Sequence, residues 1–319
     1  MNNYKNVFVT GSIAYDTIMN FPNQFQDYFH AEKLHQINVS FVVDKLEKQL
    51  GGTGSNIAYN IAQIFNKKPL IHLLGSVGKD GQEFIKFFKK NKIDVSGVIV
   101  DKKLYTSAGS VITDTKNNQI WGFYYGASEK IPYINFKKID KDTDLLVISA
   151  NHKNSFLYFQ REAIKNKISY LYDPGMTLTW ITDKDLKEGV MNCRYLVGND
   201  YEIAMILKRL NVSINRLIDT GVKVITTLGE EGVRYYGVGA KRASPVLVKS
   251  FHVKKMVDPT GAGDAWRGGF VAGLLMNYST KDCLKLGNVM ASFAIEKYGT
   301  VNHKPTKREI ENRMMKLSR

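Results

Sequence analysis

Residues 257–270 read V-D-P-T-G-A-G-D-A-W-R-G-G-F. A glycine-rich turn that enters a helix presents backbone N–H groups with no intrahelical partner, and the helix dipole adds positive potential there. Gly261, Ala262 and Gly263 therefore suit an anion. Asp264, directly beside them, can take a proton from an attacking hydroxyl while those N–H groups hold the charge growing on a phosphoryl group. The competing reading is a carboxylate that only caps the helix. A Walker A loop is ruled out, because no Gly-Lys-Ser/Thr closes the run.

Other stretches carry similar chemistry. Gly51-Gly52-Thr53-Gly54-Ser55-Asn56 opens a helical pattern; its glycines let a ligand approach the backbone, and Asn56 offers both donor and acceptor to a hydroxyl-rich substrate. A plain tight turn is the simpler explanation. Asp16 follows the first strand-like run, where parallel sheets keep their ligand groups, although an Asp in a loop is usually just solvated. Asn199-Asp200-Tyr201-Glu202 supplies oxygens that suit Mg²⁺ with its retained waters; it also has the form of a capping box. Thr227-Leu228-Gly229-Glu230-Glu231-Gly232 reads as a hairpin turn or a nucleotide-binding loop.

Something must position these groups. Strand-like runs lie at 7–11, 71–76, 145–149, 170–173, 195–197 and 224–228, and helical patterns at 57–65, 82–91, 156–166 and 202–210. That alternation predicts an α/β fold with a mostly parallel central sheet covered on both faces, with ligands outside the carboxyl ends of the strands. Two extended regions interrupt it, about 17–50 and 104–126, the second with a hairpin turn at Asp114–Asn118. They are expected to pair into one small β-sheet lid, while the rest of 1–319 forms one large α/β domain.

The bulk composition narrows the class. Apolar residues make up 44%, which fits a globular chain. No apolar run approaches a membrane span, and the N-terminus has no basic-then-apolar leader. Cys193 and Cys283 form no ligand cluster, so a cytoplasmic protein with reduced thiols is expected. The net charge is +15, but 35 of the 45 basic residues are scattered lysines. A nucleic-acid binder would concentrate charge in a stripe with aromatics, so a solvated surface is the simpler account, and neither nucleic acid nor membrane is expected as a partner.

Taken in order, Asp16, GGTGSN, NDYE, TLGEEG, DPTGAGD and Asn288 resemble the ribokinase-like, or PfkB, family of small-molecule kinases. The resemblance runs from Gly11 to about Pro305. Its most specific element matches the family's DTxGAGD-type signature, with Pro259 as a variant, and Gly51, Gly52 and Asn56 match its GGxxxN motif. The resemblance implies ATP and Mg²⁺. It implies Asp264 as catalytic base and Gly261, Ala262 and Gly263 as the anion hole. Asn199 and Glu202 would organise Mg²⁺ through water. Thr227, Gly229 and Gly232 would line the nucleotide site with Asn288 near the base, and Asp16, Gly51, Gly52 and Asn56 would hold substrate hydroxyls. Some members hold K⁺ near the residues matching Asp258, Thr260 and Gly299, which leaves K⁺ open here.

The segments G-S-I-A-Y-D-T-I-M-N-F-P, N-Q-I-W-G-F-Y-Y-G-A and D-P-G are similar to bacterial adenosine kinase-like members. That branch phosphorylates the 5′-hydroxyl of a purine ribonucleoside. It often carries Cys where Ala262 stands and Gln where Met176 stands. A purine needs π faces and apolar walls, and Phe41 and Phe123 are the candidates, with lid core as the alternative for both. The expectation is a purine nucleoside kinase, monomeric or homodimeric. A sugar kinase acting on ribose, fructose or a sugar phosphate is the alternative, followed by a non-catalytic nucleoside sensor.

Overall fold

The computed structural model describes residues 4–29, 38–65, 70–116, 118–132, 134–237 and 245–318. Its main sheet has nine strands. In chain order these are β1 (Asn6–Thr10), β4 (Leu70–Val77), β5 (Val98–Val100), β8 (Asp144–Ser149), β9 (Tyr170–Asp173), β10 (Tyr195–Asn199), β11 (Lys223–Thr227), β12 (Val233–Tyr236) and β13 (Val246–Val248). The spatial order is β13-β12-β11-β10-β9-β8-β1-β4-β5. Every neighbouring pair from β11 to β5 is parallel, and β12 turns the β11 edge antiparallel.

The period-2 alternation of the buried strands builds two cores. Val7, Val9, Leu145, Val147 and Val197 face one side, and Phe8, Leu146, Ile148 and Leu196 face the other. Helices α1 (Thr53–Ile64), α2 (Gln82–Lys90), α7 (Ala262–Leu275), α8 (Thr280–Ala294) and α9 (Lys307–Lys316) contribute to the first core. Helices α3 (Lys153–Lys165), α4 (Asp183–Asn192), α5 (Asp200–Leu210) and α6 (Ile214–Asp219) contribute to the second. The glycines after Arg267 are packing glycines. A Cβ on Gly268 would stand 2.4 Å from Asn60 Cβ of α1, and one on Gly269 would stand 2.6 Å from the Leu286 carbonyl of α8. Without side chains there, α7 fits tightly between its two neighbours.

A separate four-stranded sheet, order β3-β2-β6-β7, comes from β2 (Ala14–Asn20), β3 (Lys45–Gly51), β6 (Ser107–Thr113) and β7 (Gln119–Tyr124). Of the extended regions expected from sequence, residues 30–37 and 117 lie outside the described residues. The chain passes from the main sheet to the small one in three residues, 11–13, and returns through Gly51-Gly52 into α1. Gly52 sits at φ 91°, and a Cβ there would meet the Ser12 carbonyl at 2.5 Å. No helix among the described residues is long and apolar enough to cross a membrane.

Candidate active site

The sequence motifs converge at the carboxyl ends of the parallel strands. Asp173 ends β9, Asn199 ends β10 and Thr227 ends β11. Helix α7 points its N-terminus at the same region, with Gly261 as its N-cap in the left-handed conformation at φ 75°. A Cβ on Gly261 would meet Thr300 Cγ2 at 2.7 Å, so glycine is required both by the turn and by this close approach. The Ala262 N–H donates back to the Pro259 carbonyl at 3.2 Å and the Ala265 N–H to the Gly261 carbonyl at 2.9 Å, so the N–H groups of Gly263 and Asp264 are the ones left without an intrahelical partner.

Asp264 lies in the first turn of α7 and is partly exposed. Asn56, in the first turn of α1, donates from Nδ2 to Asp264 Oδ2 at 2.8 Å. The Thr300 hydroxyl donates to Asn56 Oδ1 at 2.8 Å, which turns the donor end of the amide toward the carboxylate. Asn60 in turn donates to the Asn56 backbone carbonyl at 2.9 Å. Burial pushes the Asp264 carboxyl above its ordinary value, while Arg267 and the Asn56 hydrogen bond pull it back.

Asp16 is not in a loop, as its place after the first strand suggested. It is the third residue of β2, paired with Gln49 of β3 and Gly109 of β6. Gly109 pairs with Phe123 of β7, so Gln49, Asp16 and Phe123 stand in one cross-strand row, separated only by a glycine. A Cβ on Gly51 would stand 1.9 Å from Asp16 Oδ2. The bare backbone at Gly51 is therefore what lets the carboxylate sit there. Burial raises the Asp16 carboxyl to about 7, helped by the charges of Asp264 and Asp258.

Phe41 belongs to another aromatic group. Its ring lies 4.8 Å from Phe21 and 5.1 Å from Phe25, centroid to centroid. Phe123 instead packs on Tyr125 at 5.0 Å, and Tyr125 on His152 at 5.2 Å.

Beside α7 opens a cavity of about 450 Å³. Ala262 and Gly263 line one part; Thr227, Gly229 and Gly232 line another, and Phe251 and Trp266 contribute aromatic wall. The 227–232 stretch is the hairpin connection between β11 and β12 and also a wall of this cavity. Asn288 lines it too, but its amide is committed: Oδ1 accepts from Trp266 Nε1 at 2.9 Å, and Nδ2 donates to the Val248 and Lys249 carbonyls at 3.1 and 2.7 Å. It fixes the wall and offers no free N–H.

Asn199 and Glu202 form a reciprocal capping box on α5, each side chain accepting the other's backbone N–H at 2.8 Å. Among the described residues no group of three or more His, Cys, Asp or Glu is arranged so that it could hold a metal ion. The donor set therefore does not fit an all-protein metal cage. It does fit Mg²⁺ held by one carboxylate through water with phosphate oxygens completing the shell. Both Asp258 oxygens accept backbone N–H groups, from Thr260 and Gly299, at 2.9 Å.

Sequence reading assigned no role to the Arg267–Asp173 pair, whose Nη2 and Oδ1 lie 2.5 Å apart, or to Thr300 and Phe251. The only local signal was Arg267 three residues after Asp264 in the signature itself.

The model of the PfkB family of carbohydrate kinases matches residues 8–307. The chain belongs to this family. As a PfkB-family kinase it is a phosphotransferase that acts on a hydroxyl of a nucleoside or a sugar. The kinase is 27% identical over 312 residues to a nucleoside kinase of Methanothermobacter thermautotrophicus, covering 96% of this chain and 94% of the relative. It is 26% identical over 276 residues to a ribokinase of Lactococcus lactis, covering 84% and 86%. The structure of Burkholderia thailandensis nucleoside kinase in complex with inosine superposes with a TM-score of 0.85 at 25% identity, covering 98% of this chain and 97% of the other. The ribokinase-like fold, with its mainly parallel sheet and separate small sheet, is thus that of solved nucleoside kinases.

Proposed function

We propose that this kinase transfers the γ-phosphoryl group of ATP to the 5′-hydroxyl of a purine nucleoside, with adenosine as the leading substrate. The observation that carries the reading is the position of Asp264. It stands at the turn of α7 whose Ala262 and Gly263 line the cavity of about 450 Å³, and its charge reaches Asp16 in the small sheet. A donor phosphate on one side and an acceptor hydroxyl on the other would meet at that carboxylate.

The small sheet acts as a lid over the acceptor. Asp16 accepts hydroxyl hydrogen bonds from the ribose, and Phe123, in the same cross-strand row, offers a π face to the base. Asp264 orients the 5′-hydroxyl and accepts its proton as the hydroxyl oxygen bonds to the γ-phosphorus. The bond from that phosphorus to the ADP oxygen breaks, and ADP leaves with the electron pair. The N–H groups after Gly261 hold the charge on the transferring group, so positioning and electrostatics supply most of the rate. Glu202 and Asn199 would hold Mg²⁺ through water, which supplies neutralising charge to the phosphates. Relatives solved with inosine and with ADP plus inosine support the nucleoside class and an adenine nucleotide donor. A cytoplasmic location accompanies this reading. The sugar-kinase alternative keeps one finding in its favour: a ribokinase is among the relatives of this chain.

The test is coupled ADP release with Mg²⁺-ATP against adenosine, inosine, guanosine, cytidine, ribose and fructose 6-phosphate. Turnover on a purine nucleoside above the others supports the reading, and turnover on a sugar alone replaces it. Asp264→Asn is expected to lose at least ~10²-fold in kcat with nucleoside binding kept. Near wild-type activity in that variant removes Asp264 from the role of base.

A further inference from the structure

Arg267 follows Gly263 by four residues and Asp264 by three, so the three lie on one face of α7. Helical side chains lean toward the N-terminus. The guanidinium accordingly reaches back until a Cβ on Gly263 would stand 2.8 Å from Nη1. The side chain is only 9% exposed. Nη2 donates to Asp173 Oδ1 at 2.5 Å, and the buried Nε–H has no partner among the described residues. Asp264 and Glu202 add their negative charge to that of Asp173 around the same cation.

An arginine kept only to neutralise Asp173 would be expected to present the two-pronged fork that matches a carboxylate. Here a single nitrogen serves Asp173, and the guanidinium stands against the backbone of the anion-binding turn. We propose that Arg267 is a positioning residue for phosphoryl transfer: a fixed cation, tethered through Asp173 against the backbone of the turn, that supports the charge of the Asp264 carboxylate one helical turn before it. The inference rests on Asp264 being the base.

The titratable groups facing Asp264 from the surrounding elements are the carboxyls of Asp16 of β2, Asp173 of β9 and Glu202 of α5, the first two raised by burial to about 7 so that they are negative only above neutrality, while α1 presents the neutral Asn56. Burial and, to a lesser extent, the Glu202 charge favour a proton on Asp264, and Arg267 together with the Asn56 hydrogen bond opposes it. Without the cation, Asp264 keeps its proton to higher pH, and a protonated carboxyl cannot act as a base.

The experiment is a pH profile of kcat/KM with Mg²⁺-ATP and adenosine on either side of neutrality. Arg267→Gln is expected to move the acid limb up by about 1–2 pH units, with activity recovering toward alkaline pH. Arg267→Lys is expected to keep the wild-type limb. Because Arg267→Gln leaves Asp173 buried and unpaired, Arg267→Gln/Asp173→Asn supplies a neutral pair of similar shape; its melting temperature reports folding, and it is expected to show an upward shift of the same sign but smaller, because the Asp173 charge that opposed ionisation of Asp264 is removed as well. An equal loss at every pH in Arg267→Gln, or a wild-type profile in the double variant, overturns the proposal, since both mean that Arg267 only packs Asp173. Asp264→Asn in the same series separates the two readings. Its full activity removes the base on which the proposal rests. An inactive Asp264→Asn beside Arg267 variants with an unmoved acid limb removes the Arg267 role alone.

Discussion

Asn56 and Asp264, 208 residues apart in the chain, share a 2.8 Å hydrogen bond in which the amide donates to Oδ2. The amide cannot be passive there, because Thr300 holds its oxygen and so aims its donor at the carboxylate. A hydrogen bond to a charged acceptor contributes about 1.5–3 kcal/mol.

Replacing that donor gives the first prediction. Asn56→Ala is expected to lower kcat by ~10- to 10²-fold, the loss of one charge-assisted hydrogen bond. Asn56→Asp is expected to do worse near neutral pH, since two neighbouring carboxylates cannot both ionise readily. Steady-state kinetics on both variants checks this. If Asn56→Asp equals Asn56→Ala, the like-charge argument fails.

Gly51 gives the second. An added Cβ would stand 1.9 Å from Asp16 Oδ2, so the carboxylate must move. Gly51→Ala is expected to raise KM for the acceptor by ~10-fold or more, since misplacement of about 1 Å can cost 10²-fold. KM for ATP should stay within error, because Thr227, Gly229 and Gly232 belong to the end of β11 and its connection to β12 in the main sheet, not to the small sheet that holds Asp16. A parallel rise in both KM values would mean that the change disturbs α1 rather than Asp16.

How much of this was legible in the sequence follows from how local each cause is. Buried parallel strands such as β8 carry an unbroken apolar run, Leu-Leu-Val-Ile at 145–148, so the α/β alternation could be read from the residues. The Asn199–Glu202 capping box could also be read, because both partners lie within one turn. Asp16 was misplaced because its strand belongs to the half-exposed small sheet, where Thr17, Ile18 and Met19 give no clean alternation. The commitment of the Asn288 amide to Trp266 and the 248–249 carbonyls depends on tertiary packing. The Arg267–Asp173 pair spans 94 residues, and nothing near either residue announces it.

Asp16 gives a prediction about stability. Its carboxyl stands at about 7 in the folded chain against an ordinary 3.8. A raised folded value means that the folded chain binds the proton more tightly; the stability this lends is present below about 3.8 and is lost as pH rises through about 7. Asp16→Asn removes the cost of burying the charge. At alkaline pH the variant is expected to melt ~2–4 °C above wild type, equivalent to about 1 kcal/mol, with the gap closing toward acid pH and acceptor binding lost. Thermal melts across pH check the sign; a variant that melts below wild type at alkaline pH would show that the ionised carboxylate is satisfied by its surroundings.

Phe123 decides between nucleoside and sugar. It shares the cross-strand row of Asp16, with only Gly109 between them, whereas Phe41 is packed among Phe21, Phe25 and Tyr28. Stacking a base on an aromatic ring contributes about 1–3 kcal/mol. Phe123→Ala is therefore expected to raise KM for adenosine by ~10- to 10²-fold while leaving any turnover of ribose unchanged, because ribose has no ring system to stack. Phe41→Ala is expected to lower the melting temperature more than it changes KM, since it removes an aromatic packed against several others. An unchanged KM for adenosine in Phe123→Ala would place the base elsewhere under the small sheet and leave Asp16 as the row's only substrate contact.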